Sequence, residues 1–178
     1  MLAIASLLDP VTDQQTRDLW QFLEEKCGLY GIKTAPYPHY SWLGCDDVQW
    51  KPATQKLKRI SLSIKGFTVR TSGFGLFAGP VPVLFVSIVK TPELMAIHKK
   101  IWTRLEKNLI GAQEYYSPER WMPHITIAHG DLTPENLCCA VQDLAFQKFE
   151  FNVFINNVSI IYHNEDGVGV KYKFDLAG

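Results

Sequence analysis

Two short segments of the chain carry side chains suited to acid–base chemistry, and they match each other. Pro38-His39-Tyr40-Ser41-Trp42 and Pro123-His124-Ile125-Thr126-Ile127 each set a histidine two places before a hydroxyl. In an extended strand, residues i and i+2 share a face and lie about 6.5–7 Å apart. Each segment therefore presents a His/hydroxyl pair on one side and Tyr40 with Trp42, or Ile125 with Ile127, on the other. With an unperturbed pKa of about 6.5, an imidazole serves as base or acid at neutral pH. Breaking a phosphodiester needs both: a base for the nucleophile and an acid for the departing oxygen, on opposite sides of phosphorus. Two opposed histidines meet that demand, and the Ser41 and Thr126 hydroxyls can donate to the non-bridging oxygens. Such a site calls for no metal and no cofactor.

The elements around these segments read as a repeat. Residues 1–8 form a short apolar run that suits a buried strand. Thr12 with Gln15 makes a capping-box signature for a helix whose apolar stripe is Leu19, Trp20, Phe22 and Leu23, stopping at Gly28. Pro36 and Pro38 force an extended path into the strand His39 to Leu43, closed by Gly44. A helix over about 52–60 and a strand over 66–77, bent near Gly73 and Gly75, complete the first half. The second half starts again with a strand from Val83 to Val89. Thr91-Pro92 then opens a helix with the stripe Leu94, Ile97, Ile101 and Leu105. After Trp121-Met-Pro123 comes the strand His124 to Ala128, then a helix opened by Thr133-Pro134. Strands at about 149–162 and 168–175, joined by a turn at Asn164–Gly167, end the chain.

The two Pro-His units start 123 − 38 = 85 residues apart, at equivalent points of these halves. A duplicated unit of that length predicts an α+β fold with two pseudo-symmetric lobes of antiparallel sheet, outer helices, and the short strands at a central cleft. The units divide near residue 80, about 1–80 and 81–178, and together make one domain over residues 1–178.

Paired His-x-[Ser/Thr]-x motifs at this separation, in this order of elements, resemble the 2H phosphoesterase superfamily, which includes 2′-5′ RNA ligase-like and 2′,3′-cyclic phosphodiesterase proteins. The resemblance covers nearly the whole chain. It implies a bilobal fold in which His39 and Ser41 form the first motif and His124 and Thr126 the second. It further implies that His124 activates water while His39 protonates the leaving oxygen. The implied activity is hydrolysis of a 2′,3′-cyclic or 2′,5′-linked phosphodiester on a nucleotide or RNA end, with relevance to RNA processing. Two alternatives stay open: 2′-5′ RNA ligation, and a nucleotide-binding module without turnover.

Composition bounds the partners. Eighteen basic residues balance eighteen acidic ones, so no general attraction to a long polyanion is expected, and a small anionic substrate fits better. No run is long and apolar enough for a membrane span and no basic leader precedes the first strand, so a cytoplasmic monomer is expected. Cys27, Cys45, Cys138 and Cys139 show no metal or redox spacing and read as reduced, packed thiols. His98, beside Lys99 and Lys100, reads as a surface residue; His129 and His124 read as facing opposite sides of their strand, which argues against a shared metal. Lys51, Lys56, Lys58, Arg59 and Lys65 form a basic stretch that suits a solvated helix face or an RNA contact. Tyr37, Phe74, Phe77 and Trp121 are the aromatic candidates for stacking on a base.

Overall fold

The computed structural model describes residues 1–164 and 167–178. In chain order the elements are β1 (Leu2–Leu7), α1 (Pro10–Cys27), β2 (His39–Cys45), β3 (Asp47–Val48), α2 (Trp50–Ser61), β4 (Phe67–Phe77) and β5 (Val83–Ile88). There follow α3 (Pro92–Leu105), β6 (Leu109–Ile110), β7 (His124–His129), α4 (Pro134–Leu144), β8 (Asn152–Ile155), β9 (Asn157–Asn164) and β10 (Gly167–Asp175). Eight strands form one antiparallel sheet in the order β10-β9-β1-β2-β7-β5-β4-β8, and β3 pairs with β6 separately. The fold is α+β, as the alternation of short apolar runs and capped helices implies.

The ends of the elements follow local chemistry. Three helices begin with a capping side chain followed by proline at the first helical position, where no N–H is needed. Thr91 and Thr133 cap α3 and α4, the latter in a reciprocal box with Asn136. For α1 the cap is Asp9, not Thr12: its carboxylate accepts from the Val11 and Thr12 N–H groups at 3.1 and 3.2 Å. Thr12 sits inside the first turn and donates its hydroxyl to the same Asp9 at 2.7 Å. Gly28 ends α1 in the left-handed region, at φ 69°. The strand expected over 149–162 divides at Asn156 into β8 and β9, because its two ends join opposite halves of the sheet. The turn expected at Asn164–Gly167 includes Glu165 and Asp166, which lie outside the described residues.

The repeat is visible in the strand order. From the central β2–β7 pair, β1, β9 and β10 lie on one side and β5, β4 and β8 on the other. Equivalent elements start at matching offsets: 83 − 2 = 81, 92 − 10 = 82, 124 − 39 = 85 and 134 − 50 = 84. The units are interleaved, however. β4 of the first half pairs with β5, β9 of the second half pairs with β1, and α1 lies against β7 while α3 lies against β2. A boundary near residue 80 therefore does not follow the division of the sheet. One buried cluster, running from Ile4 to Ile160, draws on both halves of the chain.

At its centre is an aromatic stack. The His98 ring lies 3.9 Å from the Trp121 ring with an 8° interplanar angle, and Trp42 stacks on Trp121 at 5.5 Å. His98 is fully buried, contrary to the surface position expected from its lysine neighbours; α3 turns Lys99 outward and His98 into the core. Its Nε2–H donates to the Trp42 carbonyl at 3.1 Å, while Nδ1 has no partner of proper geometry. Burial lowers its pKa to about 4, against small opposing effects of the Trp42 and Tyr116 backbone.

The cysteines also depart from expectation. Cys45 is a buried free thiol as expected, but Cys27 and Cys139 form a disulfide joining the end of α1 to α4, and Cys138 is exposed. Their sequence separation of 112 leaves no local trace; only packing of α1 on α4 brings them together.

Two outcomes follow. The unfolded chain takes up the His98 proton first, so stability is complete above about pH 6.5 and falls as pH drops toward 4, by about 3 kcal/mol for this group. Thermal melts across that range should show the loss, and His98→Phe should flatten it while lowering the neutral-pH melting temperature. Alkylation under denaturing, non-reducing conditions should label Cys45 and Cys138 but not Cys27 or Cys139, all four reacting after reduction.

Candidate active site

β2 and β7 meet at a single pair, Tyr40 opposite Ile125. In an antiparallel ladder directly opposed residues share a face, so Tyr40 and Ile125 point together into the core, where both are buried. The residues on either side then share the other face: His39 lies across from Thr126, and Ser41 across from His124. The four motif side chains are thus brought onto one face, with the histidines on a diagonal that spans about 7–8 Å in a regular ladder. Ser41 is 9% exposed; the other three are half-buried.

Both strands break their alternation immediately after the hydroxyl. Ala5 pairs with Ser41 and Ile4 with Leu43, so Trp42 is an extra residue; Phe85 pairs with Thr126 and Leu84 with Ala128, so Ile127 is another. These are β-bulges at equivalent points of the repeat. Each hydroxyl residue offers its carbonyl to a buried indole: Trp121 Nε1–H donates to Ser41 at 2.9 Å, and Trp20 Nε1–H donates to Thr126 at 3.2 Å. The bulge at Ile127 also corrects the expectation for His129, which pairs with Val83 and lies on the same face as His124. Five residues of strand still separate them by about 16 Å, too far for one ion.

The histidines are held alike. His39 Nδ1 lies 2.6 Å from the Tyr37 carbonyl, and His124 Nδ1 lies 2.6 Å from the Met122 carbonyl. A carbonyl only accepts, so Nδ1 carries the proton in each neutral ring, and Nε2 is the nitrogen left for chemistry. Burial lowers both pKa values, against these carbonyl bonds, and the His39 charge lowers His124 further. One protonated and one neutral ring is the favoured charged state of such a pair.

Other groups share this face. Ser87 lies opposite His124 and Phe85 opposite Thr126 on β5. The Phe77 ring meets His124 edge-on at 4.9 Å and stacks on Phe85 at 4.2 Å. The Tyr116 ring lies against Gly44 of β2, on the face that carries Ser41. Of the aromatic candidates, Phe77 reaches the site, Trp121 is core, Phe74 packs on Phe149, and Tyr37 contributes its carbonyl. Ser87 and Phe85 were legible as alternate residues of β5; Tyr116, in an irregular segment, gave no periodic signal. The basic stretch lies mostly on α2, with Lys51, Lys58, Arg59 and Lys65 exposed and Lys56 donating to Asn108 at 2.6 Å. The described residues able to gather around a metal are Cys27, Cys139 and Asp143 on α1 and α4, and two of these are already joined as the disulfide.

This fold has relatives. A family model described as the 2′-5′ RNA ligase superfamily matches residues 11–167. The chain belongs to that superfamily, whose members are phosphoesterases and ligases of the 2H type. Its structure is similar to TT0787 of Thermus thermophilus, with TM-score 0.69, 17% identity, and 99% and 98% of the two chains covered. It is also similar to E. coli LigT, crystallised with 3′-AMP, with TM-score 0.59, 13% identity and the same coverage. A structure described as a phosphoesterase gives TM-score 0.60 at 13% identity, again over 99% and 98%. No curated protein matches the sequence. Among the described residues, no helix is long and apolar enough to cross a membrane.

The electrostatics predict a signed result. In an NMR titration both imidazoles should show midpoints below about 6.5, and His39→Gln should raise the His124 midpoint by removing the neighbouring charge. A His124 midpoint unmoved by that change would mean the rings do not sense each other.

Proposed function

We propose that the chain is a metal-independent phosphodiesterase acting on a 2′,3′-cyclic phosphate of a nucleotide or RNA end. The observation that supports this best is the convergence of two histidines and two hydroxyls on one face, each histidine pinned through Nδ1 so that Nε2 is left for chemistry. His124 Nε2 takes a proton from water as its oxygen attacks phosphorus. The P–O bond to one ribose oxygen breaks, and His39 gives its Nε2 proton to that oxygen. One proton enters the protein and one leaves it, so the next turnover needs only exchange with solvent. Ser41 and Thr126 donate to the two non-bridging oxygens, where charge grows in the transition state. The 3′-AMP bound to the similar LigT supports a nucleotide as the carrier of the phosphate. Balanced net charge favours a small substrate or an RNA end over a long strand.

The test is hydrolysis of the four nucleoside 2′,3′-cyclic phosphates in EDTA. Wild-type turnover should persist, and His39→Ala and His124→Ala should each lose about 10²–10⁴-fold in kcat, the usual contribution of a positioned acid or base. Loss of wild-type turnover in EDTA would overturn metal independence. No turnover with any cyclic substrate, together with joining of RNA ends, would move the assignment to ligation; tight mononucleotide binding alone would leave a binding module.

A further inference from the structure

Tyr116 lies outside both motifs, yet it reaches the site. It ends the 3-10 turn Glu114–Tyr116, and the preceding Gln113 N–H donates to the Gly44 carbonyl of β2 at 2.9 Å. The bulge at Trp42 turns Gly44 onto the face that carries Ser41, where it pairs with Ala3. A side chain there has no room: a Cβ on Gly44 would come within 2.6 Å of Tyr116 Cε2 and would also strike the Gln113 side chain. Glycine at 44 thus lets the Tyr116 ring lie along β2, on the face that carries Ser41, with its hydroxyl toward that serine. Burial, reinforced by Tyr115, pushes the phenol up to about 12, so it keeps its proton at any working pH.

The repeat makes this pairing one-sided. The position equivalent to Tyr116 is 116 − 85 = 31, a glycine beside His129 and Asp131. The same side carries Thr126, whose branched Cβ restricts χ1 by itself. Ser41 lacks that methyl, and its hydroxyl is free among three staggered positions unless something else holds it.

We propose that Tyr116 is the positioning residue for Ser41: its O–H donates to Ser41 Oγ and directs the serine's own proton to a non-bridging phosphate oxygen. The inference rests on the phosphodiesterase reading above and adds a residue that neither motif contains. The experiment is a double-mutant cycle of Tyr116→Phe and Ser41→Ala, with Tyr116→Phe/Ser41→Thr as a rescue. Tyr116→Phe should lower kcat/KM on a cyclic nucleotide about tenfold, the worth of one hydrogen bond, with melting temperature nearly unchanged. In the Ser41→Ala background it should cost nothing further, and Ser41→Thr should restore most of the loss, because the added methyl holds the hydroxyl. An equal cost in both backgrounds would overturn the proposal, since the phenol would then act on substrate directly; so would no effect at all. The same cycle read as the Kd of 3′-AMP tests the pair without turnover. A wild type inactive on cyclic phosphates but showing this coupling in binding would sink the hydrolase reading and leave the positioning role standing.

Discussion

Everything at this site hangs on one narrow junction. β2 and β7 share a single residue pair, Tyr40 with Ile125, and on it the two halves of an eight-stranded sheet are joined. A buried carbonyl without a partner costs about 1–3 kcal/mol, so strands that separate so quickly must find other donors. At Ser41 and Thr126 the donors are indole N–H groups, from Trp121 and Trp20. Those indoles are themselves fixed by the core, Trp121 against both His98 and Trp42, Trp20 on the helix that packs over β7. The face that carries both motifs is therefore held from behind. Core packing sets where each hydroxyl residue's backbone lies, and the bulge beside it sets which way the chain continues.

Interleaving strengthens this support. Were each repeat a closed lobe, the junction would be a contact between two bodies able to slide. Instead β4 crosses to β5, β9 crosses to β1, and α1 and α3 each lie against the other unit's motif strand. Trp20 of the first unit holds the carbonyl of the second motif, and Trp121 of the second unit holds that of the first. Each motif thus depends on both halves of the chain, and the disulfide between α1 and α4 ties the same elements once more.

Much of this was legible because it is local. The Pro-His spacing, the cap-proline pairs at Thr91 and Thr133, and the alternation around each histidine placed the motif strands and two of the helices with no tertiary information. What failed was whatever depends on distant packing. His98 looked solvated because its sequence neighbours are lysines, yet its ring is stacked in the core with two tryptophans. Cys27 and Cys139 carry no signal over their 112-residue separation. His129 was assigned by strict alternation, which one extra residue at Ile127 reverses. Tyr116 belongs to a 3-10 turn, where no period marks a functional side chain, and only the missing Cβ of Gly44 shows why it fits.

The proposed chemistry poses a last question, since both histidines are pushed toward neutrality and that reading needs one of them as an acid. The causes are burial and, for His124, repulsion by His39, each opposed by a backbone carbonyl; no carboxylate of the described residues is among them. A neighbouring carboxylate would hold an imidazole in its charged form. Without one, an imidazolium at either position is poorly stabilised by the protein alone. On the proposed reading a phosphodiester would supply the missing charge. Bound between the rings, its negative oxygens favour the protonated form of whichever ring they face, while the second ring, repelled by the first, stays neutral. In that mechanism the acid would be created by the substrate that needs it, and the base preserved by the acid. A neutral ligand of the same shape would leave the rings uncharged, so on the proposed reading the two histidines, like the two hydroxyls, would favour a phosphate.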